Sequence, residues 1–296
     1  MNVLRAMAIA LLAGGLAASS PARLQASDPP PAVDVSTCQT CHEKEVKAFQ
    51  ASRISRGATC ASCHGDPTAH VTAESEGGER GEIVSFKGMK AAEVNERCLT
   101  CHESGSQAHW AGGPHERRGL SCNTCHSIHS YASERNQLRT AQDAQTCYTC
   151  HTSVRSKEMR VSHHPVREGL MNCASCHDPH DGTKQHLVSA DSVNEKCLSC
   201  HTEKRGPFLW EHAPVQENCL TCHDPHGSNH EKLLVAKQPY LCQRCHLNTR
   251  HPGTLYDGRN TVNGPALSNR AVEHSCKNCH QNVHGGNAPS GPYLGR

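Results

Sequence analysis

A cysteine, any two residues, a second cysteine and then a histidine recur ten times between Cys38 and His280. The cysteine pairs are Cys38/Cys41, Cys60/Cys63, Cys98/Cys101, Cys122/Cys125, Cys147/Cys150, Cys173/Cys176, Cys197/Cys200, Cys219/Cys222, Cys242/Cys245 and Cys276/Cys279. The histidines that follow are His42, His64, His102, His126, His151, His177, His201, His223, His246 and His280, and all 20 cysteines are consumed. Two thiols at this spacing can add to the vinyl groups of one haem as thioethers, which holds the adjacent imidazole under the iron as its proximal ligand. A disulfide scaffold has no use for the histidine, and a redox C-x-x-C is not repeated tenfold. Zinc is the alternative for any single motif. Ten motifs with no cysteine left over read as ten covalent haem c groups and an electron-transfer task.

An electron-transferring iron takes a second strong ligand, and imidazole is the natural one. Fourteen of the 24 histidines lie outside the motifs. His129, His180 and His226 stand three residues after a proximal histidine. That is too short a span to reach the opposite haem face, so each is expected on a neighbouring iron. His115 and His212 stand seven residues before a motif cysteine and are expected opposite the haems at Cys98/Cys101 and Cys197/Cys200. His163 or His164 is expected to serve the haem at Cys147/Cys150, with the choice open. His70, His251 and His284 are further candidates and His109 a tenth, while His186, His230 and His274 read as surface or supporting residues. No histidine lies between His42 and Cys60, so the first haem is expected to be ligated from afar or left open.

The motif-to-motif steps are 22, 38, 24, 25, 26, 24, 22, 23 and 34 residues. Motifs after polar runs (CLTCH at Cys98, CYTCH at Cys147, CLSCH at Cys197) alternate with motifs after histidine-bearing runs (CNTCHSIH, CASCHDPH, CLTCHDPHG). The repeat is therefore a two-haem unit used five times, at about residues 27–75, 76–135, 136–186, 187–234 and 235–296. Hydrophobic residues are 35%, aromatics 3%, and the mean hydropathy is -0.64. Side chains alone would make a thin core; ten macrocycles would supply the missing apolar surface. The expected fold is an elongated multihaem cytochrome, mostly loops and short helices wrapped around haem, with little or no β-sheet. Short helices are expected at CHEKEVKAFQASR, with Val46, Phe49 and Arg53 on one face, and around VNERCLTCH and VNEKCLSCH. CHDPHDG and CHDPHGSN read as turns, and Trp110 and Trp210 as packing residues beside the haems.

Residues 1–26 have the form of a secretory signal peptide: Arg5, an apolar run from about Met7 to Ala18, then small residues. The run is short for a membrane span, so export of a mature chain 27–296 is expected. The formal charge of +2 carries no nucleic-acid footprint. No serine triad, phosphate loop or paired carboxylates stands in a recognisable context, so no catalytic residue is assigned.

The stretches SQAHWAGGPHERRGLSCNTCHSIHS (106–130), HHPVREGLMNCASCHDPHDG (163–182), GPFLWEHAPVQENCLTCHDPHGSNHEKLL (206–234) and CKNCHQNVHGGNAPSG (276–291) resemble the MtrA/PioA/DmsE family of decahaem cytochromes. The resemblance covers essentially the whole mature chain. It implies a periplasmic protein, associated with the outer membrane, with largely bis-histidine haems and seated in a β-barrel porin. Electrons would pass between periplasmic cytochromes, or a quinol-linked cytochrome donor, and extracellular acceptors or donors such as iron. An extracellular multihaem cytochrome or a reductase is a further implied partner. Arg53 and Ala288 stand where members of the family often carry histidine, and the first of these bears on the ligation of the first haem. A soluble periplasmic shuttle feeding a terminal reductase is the alternative function, and a reductase acting at an open haem a third.

Overall fold

A computed structural model of the chain describes residues 34–79, 81–246, 276–289 and 291–294. The expected leader at 1–26 and the candidate ligand His251 lie outside them. Twelve short α-helices and eight 3-10 helices occur among the described residues, with six isolated β-bridges and no sheet. The longest helices, Glu43–Ala51, Thr68–Glu76 and Ala91–Leu99, have nine residues. Isolated helices of this length are marginal in water, so the chain depends on what it packs against. The buried apolar side chains among the described residues are Val46, Phe49, Ala61, Val94, Trp110, Ala144 and Tyr148. That is a thin core for an elongated fold of short helices and loops, as composition predicted.

Odd and even motifs are built differently. In the odd ones the first cysteine falls in the last turn of a helix: Val35–Gln39, Ala91–Leu99, Asp143–Tyr148, Val193–Leu198 and Tyr240–Gln243. In the even ones it opens a helix, as in Cys60–His64, Cys122–Cys125, Cys173–Ser175, Cys219–Thr221 and Cys276–Asn278. The residues just before four of these, Thr59, Ser121, Asn172 and Asn218, are N-cap formers whose side-chain oxygens can accept from the otherwise unpaired first amides. Ser62, Thr124 and Ser175 reach back to the cap amide. A small hydroxyl inside C-x-x-C therefore starts the turn that the haem-binding residues need.

The expected helix after His42 forms at Glu43–Ala51 and buries Val46 and Phe49. It does not reach Arg53: Ser52 is extended (φ -78°, ψ 156°) and its hydroxyl donates to the Phe49 carbonyl at 2.6 Å. Arg53 instead begins the exposed 3-10 turn Arg53–Arg56.

Consecutive motif pairs are stitched by backbone. Gly182 donates to the His109 carbonyl at 3.0 Å; Ser162 and Ser228 exchange bonds of 3.0 and 2.8 Å; Trp210 and Gly286 exchange two of 2.9 Å. The glycines after the HDPH and NVH runs are required by this proximity. A Cβ on Gly182 would lie 2.5 Å from the Gly113 Cα, and one on Gly227, at φ +140°, 2.1 Å from the Lys157 carbonyl oxygen. The expected turns are present, and they double as joints.

Candidate haem-binding centres

Each motif is one helical turn. The histidine amide donates to the carbonyl of the first cysteine four residues back, at 2.9 Å for His42, His151, His177, His201 and His280 and 3.0–3.1 Å for His102, His126, His223 and His246. Residues three and four apart share a helix face, so both sulfurs and the imidazole present to the same side.

The motifs lie against one another in chain order, with alternating contacts. Within a pair the first cysteines meet. Burial and the Cys38 sulfur push the Cys60 thiol up, the hydrogen bond to Cys122 raises Cys98, and the bond to Cys147 raises Cys173. Burial and the sulfurs of Cys219 and Cys276 push Cys197 and Cys242 each up to about 11. Between pairs the second cysteines meet: burial raises Cys63, Cys125, Cys176 and Cys222, and Cys101, Cys150, Cys200 and Cys245 respectively add to it. The succession runs unbroken from the first motif to the tenth.

The second cysteines are covered unequally: those of the odd motifs, Cys41, Cys101, Cys150, Cys200 and Cys245, are exposed, and those of the even motifs are half-buried except Cys279. Cys279 is the second cysteine of an even motif with no further motif after it, so the contact between pairs that half-buries Cys63, Cys125, Cys176 and Cys222 is not available to it. The place of Cys41 and Cys279 in the turn is the same as elsewhere. The Cys41 amide donates to the Cys38 carbonyl at 3.3 Å and the Cys279 amide to the Cys276 carbonyl at 3.2 Å.

Two buried or half-buried asparagines hold the members of a pair together. Asn95 donates to the Leu120 carbonyl (3.2 Å) and accepts from the Cys122 amide (2.9 Å). Asn194 donates to the carbonyls of Val215 and Gln216 and accepts from the Cys219 amide at 2.8 Å. The signal was present in the repeated V-N-E-[RK]-C; read as helix periodicity alone, it did not disclose a clamp.

Eight pairs of histidine rings come together, stacked or tilted in seven and edge-on for His115 and His151, and every pair joins one motif histidine to one outside a motif. His42 faces His70 at a ring-centre distance of 6.3 Å, His64 faces His129 at 6.1 Å, and His126 faces His180 at 6.0 Å. His151 faces His115 at 6.2 Å, His177 faces His226 at 6.0 Å, and His201 faces His164 at 6.4 Å. His223 faces His284 at 6.1 Å and His246 faces His212 at 6.1 Å. Two metal–nitrogen bonds of about 2 Å, plus about 1.1 Å from nitrogen to ring centre on each side, place the centres roughly 6 Å apart. The residues therefore fit an iron held between each pair.

Several partners differ from those expected. His115 faces His151 rather than His102, and His212 faces His246 rather than His201. The choice between His163 and His164 falls to geometry: His164 faces His201, whereas His163 uses Nδ1 on the Arg160 carbonyl (2.6 Å) and Nε2 on Glu168 (3.1 Å). His109 is exposed and faces no motif histidine among the described residues. His70 faces His42 from beyond Cys60, which is the first of the two outcomes expected for the first motif, a ligand from afar. The physical reason is common to His115, His164 and His212. The run before an even motif leads away from its own pair and is anchored on the next.

That anchoring is visible at Nδ1. His115, His164 and His212 bond the carbonyls of Pro179, Pro225 and Val283 at 3.1, 2.9 and 2.9 Å, each the residue just before His180, His226 or His284. His129 bonds the Glu45 carbonyl at 3.2 Å. Among the motif histidines, His64, His126, His177, His223 and His280 bond carbonyls of Val84, Asn136, His186, Lys232 and Tyr293 at 2.6–3.0 Å. A carbonyl only accepts, so Nδ1 carries the proton and Nε2 keeps the lone pair that a metal takes. Burial lowers the pKa of His180, His226 and His284, which keeps these rings in the neutral form that ligation requires. Trp110 packs on both His115 and His180 at 6.3 Å. Trp110 Nε1 and His70 Nδ1 are buried without a protein partner among the described residues, a need that a haem's polar edge can meet.

Comparison with known proteins agrees with this chemistry. Residues 163–206 and 212–251 match the doubled CXXCH motif family, and residues 60–138 the family described as cytochrome c-type protein NrfB-like. The chain is 36% identical to multiheme cytochrome MtrA of Shewanella baltica (strain OS185), over 88% of this chain and 80% of that protein. With ten C-x-x-C-H turns in succession and imidazoles set against eight of them at iron-bridging distance, the chain is a multihaem c-type cytochrome of the MtrA family, an electron carrier rather than an enzyme.

Proposed function

We propose that the chain carries ten haem c groups, one per motif, and passes electrons along them in chain order across the outer membrane. The observation that carries this reading is the unbroken succession of motif contacts from Cys38 to Cys276. Bound haem supplies an iron that cycles between ferric and ferrous forms. The chain's own work is to fix each ring, keep its imidazole neutral and hold neighbours close. We assign His70, His129, His180, His115, His226, His164, His284 and His212 as distal ligands opposite His42, His64, His126, His151, His177, His201, His223 and His246. His251 stays a candidate. All twenty motif cysteines, Cys41 and Cys279 included, serve as thioether residues, and the haems at the first and last motifs are the ends of the wire.

In this reading residues 1–26 direct export, and 27–296 form five two-haem units in the periplasm. An outer-membrane β-barrel porin sleeves the chain, which is consistent with its thin core. A periplasmic cytochrome or quinol-linked cytochrome donor serves one end, and an extracellular multihaem cytochrome, reductase or iron the other. Intact mass of the purified holoprotein counts the haems. Fractionation of the native host with a haem stain, detergent extraction and native mass test the assembly. Tight stoichiometry with a large β-barrel in the outer membrane supports the conduit. Release as a free monomer on opening the periplasm replaces it with a soluble shuttle.

A further inference from the structure

The distal rings of three odd motifs come from the run before the preceding even motif. His115 and His212 each stand seven residues before a first cysteine, Cys122 and Cys219, and His164 nine before Cys173. They face His151, His246 and His201, in each case the next odd motif downstream. Seven residues before Cys60 stands Arg53. By the same geometry a histidine there would have faced His102, yet the stretch 43–59 contains none. The one non-motif histidine before Cys98 is His70, which is the partner of His42. Among the described residues no second imidazole lies against His102.

An arginine cannot replace the missing ring. The guanidinium has five donors, no acceptor and no accessible deprotonated form. It is, however, a strong donor to anions. Arg53 and Arg56 are the ends of one 3-10 turn, where side chains three apart eclipse. Both are exposed, and among the described residues neither makes an ion pair.

We propose that the haem held by Cys98, Cys101 and His102 has no distal histidine and takes a small exogenous anion there, with Arg53 and Arg56 on the side from which the ligand arrives. The inference rests on the haem assignment above and relocates the irregular centre from the first motif to the third. It makes one step of the wire responsive to a dissolved ligand.

The test uses the ferric holoprotein, its haem count first checked by intact mass, so that failure of the haem assignment is seen before any spectrum is read. Electron paramagnetic resonance and optical spectra are recorded with azide and, separately, imidazole as probes. The expected result is a high-spin ferric component that azide converts to low spin and that Arg53→His lowers by about one haem in ten. Arg53→Gln keeps that component and weakens azide binding about fivefold or more, with imidazole affinity within about twofold of the parent. A wholly low-spin protein with no azide response overturns the proposal. So does a high-spin component that Arg53→His leaves intact. Equal azide affinity in Arg53→Gln overturns the preference for anions.

Discussion

Replacing Asn95 with leucine should open the joint between the third and fourth motifs while leaving the rest of the chain closed. Leucine keeps the branching and heavy-atom count of a side chain that is 5% exposed and removes its hydrogen bonds, including the two to backbone. The Cys122 amide and the Leu120 carbonyl lose partners at 2.9 and 3.2 Å. An unsatisfied buried group costs about 1–3 kcal/mol; both of these are half-buried, so water can recover part, and about 1 kcal/mol each is the appropriate end. The sum, roughly 2 kcal/mol, is about a thirtyfold larger opening constant. Unfolding of a multihaem chain is not two-state, so the assay is native-state hydrogen exchange of the holoprotein at residue resolution, read at the Cys122 amide. Asn194→Leu should have the same effect at the Cys219 amide, 2.8 Å from Asn194 Oδ1, and none at Cys122. Exchange at Cys122 unchanged within twofold, or a rise at both sites in either variant, would refute the clamp.

His164→Ala should turn about one haem in ten high-spin while His163→Ala leaves the spectrum unchanged, because His163 has both nitrogens engaged by protein; equal effects would remove the assignment. Gly227→Ala or Gly182→Ala forces a Cβ onto backbone at 2.1 or 2.5 Å and should cost about 1–3 kcal/mol locally, seen as faster exchange at Ser228 or Gly182 and lower holoprotein yield. Lys157 and Asp224 pair at 2.7 Å between the third and fourth motif pairs. Burial alone would raise the Asp224 pKa, but the hydrogen bond and charge of Lys157 and the His226 amide leave it lowered. A lowered carboxylate pKa stabilises above the unfolded value of 3.8 and is lost as pH falls through the folded one. Titration downward from about pH 5 should therefore loosen exchange at Ser228, by about 0.5–1 kcal/mol at most, and Lys157→Met should flatten that dependence.

Much of the site was legible in the order of residues, because haem attachment is local chemistry. Cys98, Cys101 and His102 lie on one helical turn, and any chain that forms the turn presents all three. The alternation of motif types is likewise local, resting on caps such as Ser121 and Asn172 placed one residue before an even motif. The histidine inventory was legible too, since ten irons demand imidazoles wherever they are found. How far each sulfur is covered was not: all ten second cysteines share one motif, yet those of the odd motifs are exposed and those of the even motifs half-buried except Cys279. Nor was it legible which imidazole meets which iron. His115 and His151, His164 and His201, and His126 and His180 are separated by stretches of chain that contain other suitable histidines, and spacing cannot rank them. Only the tertiary structure decides, because the choice is made by backbone joints between successive motif pairs: Gly182 on His109, Ser162 on Ser228, and Trp210 on Gly286. Those joints swing each approach run forward onto the next pair, and they alone make Arg53 a statement about His102 rather than His42.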